Sequence, residues 1–102
     1  MLNIIVACAN GAGSSLMLKM KAEQVMKSLG IDTKIHHCAI SEGKGLAPRY
    51  DLVFTALNFV NMFDSAVEKG VTVIGIKNVM SDKEIKEKFM ETDLYKRIME
   101  KA

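Results

Sequence analysis

Three stretches of this chain are apolar almost without a break: "LNIIVA" at Leu2–Ala7, "YDLVFTA" at Tyr50–Ala56 and "VTVIGI" at Val71–Ile76. Runs of this kind, rich in β-branched residues, mark strands buried on both faces, which happens in parallel sheets covered by helices. The intervening segments carry a helical pattern. In Ser14–Leu29, residues Leu18, Ala22, Val25 and Leu29 share one face, and Gly30 supplies a left-handed stop. "DTKIHHCAI", from Asp32, reads as a further strand interrupted by His36 and His37, and Ser41–Arg49 as a loop or a broken turn of helix. Asn58–Lys69 is predicted as a second helix, with Phe59, Phe63, Ala66 and Val67 buried and Gly70 ending it. The stretch from Met80 to Ala102 reads as one C-terminal helix opened by a capping box of Ser81 and Glu84. Strands alternating with helices predict an α/β, three-layer Rossmann-like sandwich. Its four-stranded parallel sheet has order 2-1-3-4 and helices on both faces, all within one domain spanning residues 1–102.

The bulk numbers narrow the functional classes. A net charge of +2 over 102 residues, with lysines spread along the chain and no tryptophan, gives no basic patch for nucleic acid. No apolar run approaches the length of a membrane span, and the N-terminus lacks the basic start of a signal peptide. The expected compartment is the cytoplasm, where the two cysteines are free thiols.

Open parallel sheets bind ligands beyond the carboxyl ends of their strands, and the turn after the first strand is the usual place. Here that turn is "CANGAGSS", Cys8–Ser15. Gly11 and Gly13 permit positive φ and remove side-chain bulk, so backbone N–H groups can converge. The helix beginning near Ser14 adds unpaired donors and the positive end of its dipole. Ser14 and Ser15 can cap it or donate hydroxyl hydrogen bonds. Cys8, Ala9, Asn10, Gly11, Ala12, Gly13, Ser14 and Ser15 thus form a cradle suited to a phosphoryl dianion, and the same field favours the Cys8 thiolate.

A blander reading stays open, since any strand-to-helix turn favours glycine and a small cysteine is common at a strand end. Among phosphate loops, the nucleoside-triphosphate type needs Gly-Lys-Ser/Thr, which is missing, and Leu16 stands where a dinucleotide loop has its third glycine. The cysteine phosphatase loop needs arginine six residues after the cysteine, and that residue is Ser14. A phosphocysteine formed here would pass poorly to water, which suits a carrier better than a hydrolase. A low-molecular-weight cysteine phosphatase or arsenate reductase remains the alternative enzyme. A thiol redox or regulatory module using Cys8 and Cys38 is the non-enzymatic one.

The stretch "ACANGAGSSLMLKMKAEQVMKSLGI" resembles the start of enzyme IIB proteins of the sugar phosphotransferase system. "HCAI", "DLVFTA" and "VIGIKNVMS" resemble the ascorbate branch of the lactose/ascorbate superfamily, although Ala9 stands where that branch more often has glycine. The resemblance implies that Cys8 takes a phosphoryl group from the phosphohistidine of a IIA partner and passes it to a sugar held by the IIC membrane transporter. It implies that Ala9–Ser15 form the cradle and that the sugar is L-ascorbate. No cofactor or metal is expected, because positioning and electrostatics carry most of phosphoryl transfer.

Other residues receive plainer readings. Leu16, Met17 and Met20 read first as core packing. Met17 and Leu18 cannot both lie on one narrow buried stripe, however, so Leu16 or Met17 is the candidate for an exposed docking surface beside Cys8, for a transient IIA partner of a monomeric protein. His36 and His37, adjacent in a strand, point to opposite faces and make a poor metal site. Lys19, Lys21, Lys44 and Arg49 are a solvated basic face or steer acidic partners. Asn58 and Asn61 are candidates for the pocket edge, and the charges of the C-terminal helix read as a solvated face.

Overall fold

Ile4, Ile5, Val6 and Ala7 are each 0% exposed, so the first apolar run is sealed on both sides. The chain is described by a computed structural model covering residues 2–8, 12–78 and 81–101. Its strands are β1 (Leu2–Cys8), β2 (Thr33–Ala39), β3 (Leu52–Ala56) and β4 (Thr72–Ile76), in one parallel sheet of order β2-β1-β3-β4. The helices are α1 (Ala12–Ser28), α2 (Ile40–Leu46), α3 (Asp64–Glu68), α4 (Asp82–Met90) and α5 (Asp93–Lys101). Ala47–Arg49 and Leu57–Phe63 are 3₁₀ segments. This is the expected layered α/β architecture and strand order.

Strand alternation divides the core in two. Ile4, Val6, Leu52 and Phe54 face α1 and α4, where Leu18, Ala22, Met26, Ile85 and Phe89 meet them. Ile5, Ala7 and Val53 face α2, the 3₁₀ segments and α3, where Ile40, Ala47, Phe63 and Ala66 close the other side. The α1 stripe is as expected, with Met26 added to it and Leu29 only partly buried. Gly30 and Gly70 take φ of 73° and 91°, the left-handed stops expected of them.

Three expectations change. Ser41–Arg49 is mostly regular, being the body of α2 followed by a 3₁₀ turn. The second helix is split into the 3₁₀ segment Leu57–Phe63 and the short α3, and Val67 is 52% exposed rather than buried. The cause is Gly75 on β4: a Cβ there would lie 2.4 Å from Val60 Cγ1 and 3.0 Å from the Leu57 backbone. A 3₁₀ coil eclipses residues three apart, so Leu57 and Val60 come down together on the bare glycine. Phe63 and Ala66, again three apart, are then the buried pair, and Val67 turns outward.

The C-terminal helix is two helices. Thr92 divides them: its hydroxyl donates to Phe89 O at 2.6 Å and accepts from Tyr95 N at 3.2 Å, closing α4 and capping α5. The capping box at the head of α4 is half present. Ser81 Oγ accepts from Glu84 N at 3.2 Å, but the Glu84 carboxylate turns away to the end of β4. There it accepts from the N–H groups of Lys77 and Asn78 at 2.6 and 2.9 Å. Lys88 sits 2.8 Å from the same carboxylate and donates to Gly75 O at 2.6 Å. Part of the charge read as a solvated face thus holds α4 onto β4. Burial alone would raise the Glu84 carboxyl, but the hydrogen bonds from Lys88, Lys77 and Asn78 and the Lys88 charge outweigh it and bring it from 4.5 down to about 2.

A depressed carboxyl contributes stability that is complete above its unfolded pKa and lost as pH falls through the folded one. Glu84→Gln is therefore expected to lower stability by about 1–2 kcal/mol at pH 7. The gap from the parent protein should narrow as pH falls from about 4.5 towards about 2. Urea unfolding at several pH values checks this, and a gap independent of pH would refute the account.

Candidate functional site

Cys8 is the last residue of β1 and lies in register with Ala39, the last residue of β2. It ends an interior strand, flanked by β2 on one side and β3 on the other. Helix α1 starts at Ala12, so three residues separate the cysteine from a 17-residue helix. The thiol residue and the helix's positive end therefore share the carboxyl edge of the sheet. A helix leaves its first four N–H groups without intrahelical partners, and here those belong to the start of "AGSS".

Ala9, Asn10 and Gly11 lie outside the described residues. For Ala12, Gly13, Ser14 and Ser15 the backbone is helical. The helix begins two residues earlier than expected, so Ser14 and Ser15 belong to its first turn rather than to its cap. Leu16 and Met17 follow at 44% and 36% exposed, and Met20 is 48% exposed beside them, so the core-packing reading of these three gives way to the exposed one.

The floor of this edge is a row of small residues. Register places Cys38, Ala7, Thr55 and Gly75 side by side across β2, β1, β3 and β4. On that row α2 approaches so closely that a Cβ on Gly43 would meet Ala7 Cβ at 2.9 Å and Cys38 Sγ at 3.3 Å. Ala7 Cβ is fixed to the strand backbone and cannot yield. Glycine at position 43 therefore sets how near α2 can come to the residue preceding Cys8. Thr55 is fully buried in the row, and its hydroxyl has no hydrogen-bond partner among the described residues. Sequence reading passed over both. The signals were a lone hydroxyl inside "LVFTA" and a glycine inside a segment that reads as a loop or a broken turn of helix.

The remaining candidates separate. Cys38 is buried in the α2-side cluster and pairs in register with Ala7, one step away from Cys8. His36 is exposed, stacked on Tyr50 at 6.5 Å and 17°, with Nε2 3.9 Å from a Glu42 carboxylate oxygen. His37 is in register with Val6, so the two histidines take opposite faces of β2. Among the described residues no group of three or more His, Cys, Asp or Glu is placed to hold a metal. Lys19 lies 3.9 Å from Glu23, and Lys44, Arg49, Asn58 and Asn61 are exposed. No helix among the described residues is long and apolar enough to cross a membrane.

Known proteins resemble this chain in sequence and in fold. The chain is 31% identical over 86 residues to the ascorbate-specific PTS system EIIB component of Mycoplasma pneumoniae, covering 84% of this chain and 88% of that protein. The protein of the same name from Escherichia coli O157:H7 is 28% identical over 88 residues, covering 86% and 85%. In structure, the chain is similar to the lactose-specific IIB component domain of the phosphoenolpyruvate:carbohydrate phosphotransferase system from Streptococcus pneumoniae. The TM-score is 0.68 at 17% identity, over 88% of this chain and 95% of that one, which speaks for the fold. The model of the PTS system lactose/cellobiose-specific IIB subunit family matches residues 3–91. With the match running from the first strand through α4, the chain belongs to the lactose/cellobiose-specific IIB subunit family of the phosphotransferase system.

Proposed function

We propose that this IIB component carries phosphate on Cys8 in the cytoplasm, between a IIA phosphohistidine and a sugar held by the IIC transporter. IIB components are phosphotransferases that work with IIA and IIC partners. What carries the assignment to Cys8 is its place: the last residue of an interior strand, three residues before a long helix.

In the first step the Cys8 thiolate attacks phosphorus in line. The S–P bond forms as the N–P bond breaks, and the donor imidazole leaves with the bonding pair and takes up a proton. Backbone N–H groups from Ala9, Asn10, Gly11, Ala12, Gly13, Ser14 and Ser15 hold the equatorial oxygens as charge develops, the role of any preorganised donor set. In the second step a sugar hydroxyl attacks the phosphocysteine. The O–P bond forms, the S–P bond breaks, and thiolate is regenerated. The hydroxyl proton goes to a base on the transporter, which also sets the geometry of the acceptor. With serine at position 14, where phosphatases of this type place arginine, the loop lacks the clamp that speeds transfer to water. Leu16 and Met17, exposed on the first turns of α1, form a docking surface for the IIA protein.

L-Ascorbate is the proposed sugar. Support comes from the names of the relatives at 31% and 28% identity, and from the "HCAI" and "VIGIKNVMS" segments.

Two experiments test these assignments. Incubation with a phosphorylated donor cascade is expected to add one phosphate to the protein by intact mass, and none to Cys8→Ser. Phosphate retained by Cys8→Ser, or mapped to His36 or His37, would refute the site. With membranes bearing the cognate transporter, phosphate from Cys8 should appear on L-ascorbate and not on lactose or cellobiose. The reverse preference would refute the sugar.

A further inference from the structure

Ala39 and Ala56, the last residues of β2 and β3, flank the end of β1 where Cys8 sits. The chain leaving each of them builds one wall of an open groove of about 490 Å³. Ile40, Ser41 and Lys44 of α2 form one wall, and Phe59 and Met62 of the 3₁₀ segment form the other. The groove thus starts one strand away on either side of Cys8, about 5 Å laterally. Its apolar lining is anchored: Ile40 is buried and Phe59 packs on the α2-side core. Met62 is 42% exposed at its rim, and Lys44 is exposed with no ion pair among the described residues.

Resting on the carrier reading above, we propose that this groove seats the phosphohistidine donor. It takes an apolar side chain of that protein against Phe59 and Met62, and a neighbouring carboxylate against Lys44. In-line attack requires the donor histidine above Cys8, so the donor's body must cover the rim around it. The groove is the apolar part of that rim on the side away from α1. Methionine adapts its shape to a partner that docks and leaves. Charge decides between the two partners. Cytoplasmic loops of membrane transporters carry an excess of Lys and Arg. A rim whose free charge is an ammonium repels such loops and attracts an acidic soluble protein. The groove is therefore a surface of the loading step, separate from the Leu16 and Met17 face of α1.

The test follows the initial rate of phosphate transfer from the phosphorylated IIA protein as its concentration is varied. Met62→Asp and Lys44→Glu are each expected to raise the half-saturating donor concentration about tenfold, the scale of losing one docking anchor. The plateau rate and thermal midpoint should be unchanged. Lys44→Met should weaken the dependence of that concentration on salt. Met99→Asp, in a separate cavity with Leu2 and Gly30 at the opposite end of the sheet, is the control. If both groove variants load as the parent does, the inference is overturned. Normal loading with impaired delivery to sugar on transporter membranes would also overturn it, by giving the groove to the transporter. So would self-association of the parent protein that Met62→Asp abolishes, by giving the groove to a second copy. If the parent takes no phosphate at all, the carrier reading falls first, and that result is distinct from every groove outcome.

Discussion

The sheathing of β1 on both faces is the constraint on which the rest depends. Its middle residues are removed from water on the α1 side and the α2 side alike, with β2 and β3 bonded along both edges. A strand so enclosed has no freedom in register, because a slip of one residue would exchange Ile4 and Val6 for Ile5 and Ala7 in cores of different shape. The position of Cys8 is fixed by that enclosure. The residue is carried to the edge of the sheet by a strand that cannot shift, and there the next element is α1.

Small residues near that edge do a second job. The row Cys38, Ala7, Thr55 and Gly75 leaves little side-chain volume on the α2 side of the sheet. Gly43 and Gly75 remove bulk where the covering backbone presses in. The covering elements adapt to this shallow floor: α2 runs two turns, and the segment after β3 is the narrower 3₁₀ coil. On the α1 side the cover is a 17-residue helix over large side chains, Leu18, Met26 and Phe54 among them. The two faces therefore differ in kind. One is a deep core that holds the strand, and the other is a thin cover that leaves an open groove beside the strand end.

The fold was legible because the signals for it were local and redundant. Continuous apolar runs marked β1, β3 and β4, and glycines at positions 30 and 70 marked two helix ends that the structure places in the left-handed region. What could not be read depended on contacts distant in sequence. The 3₁₀ segment owes its form to Gly75, more than ten residues downstream, and Glu84 leaves its capping role for amides on β4. The break at Thr92 was a local signal, a threonine followed by aspartate, but the amphipathic pattern ran through it. Of the candidate site, the sequence placed Cys8 at the end of the first strand and left Leu16 or Met17 off the buried stripe, both because helical and strand periodicity decide them. It could not show Gly43 seated on Ala7, or the hydroxyl of Thr55 buried without a partner among the described residues, since those follow from how two faces of a sheet are covered.

The latch on β4 and the floor under α2 act on the same edge from opposite ends. Glu84 and Lys88 tie the turn after β4 to α4, on the deep side of the sheet. Gly75, whose carbonyl Lys88 holds, is also the residue that admits the 3₁₀ segment on the shallow side. One glycine thus couples α4 to the wall of the groove. Its backbone oxygen is anchored on one face, and its missing side chain receives Val60 and Leu57 on the other. Movement of the 3₁₀ wall against β4 is resisted by close steric contact, while movement of β4 itself is resisted by a charged pair in a partly buried setting, where screening is weak. The wall made by Phe59 and Met62 is thereby referred to the same rigid sheet that carries Cys8. Cys8 and the surface beside it are thus carried by one sheet.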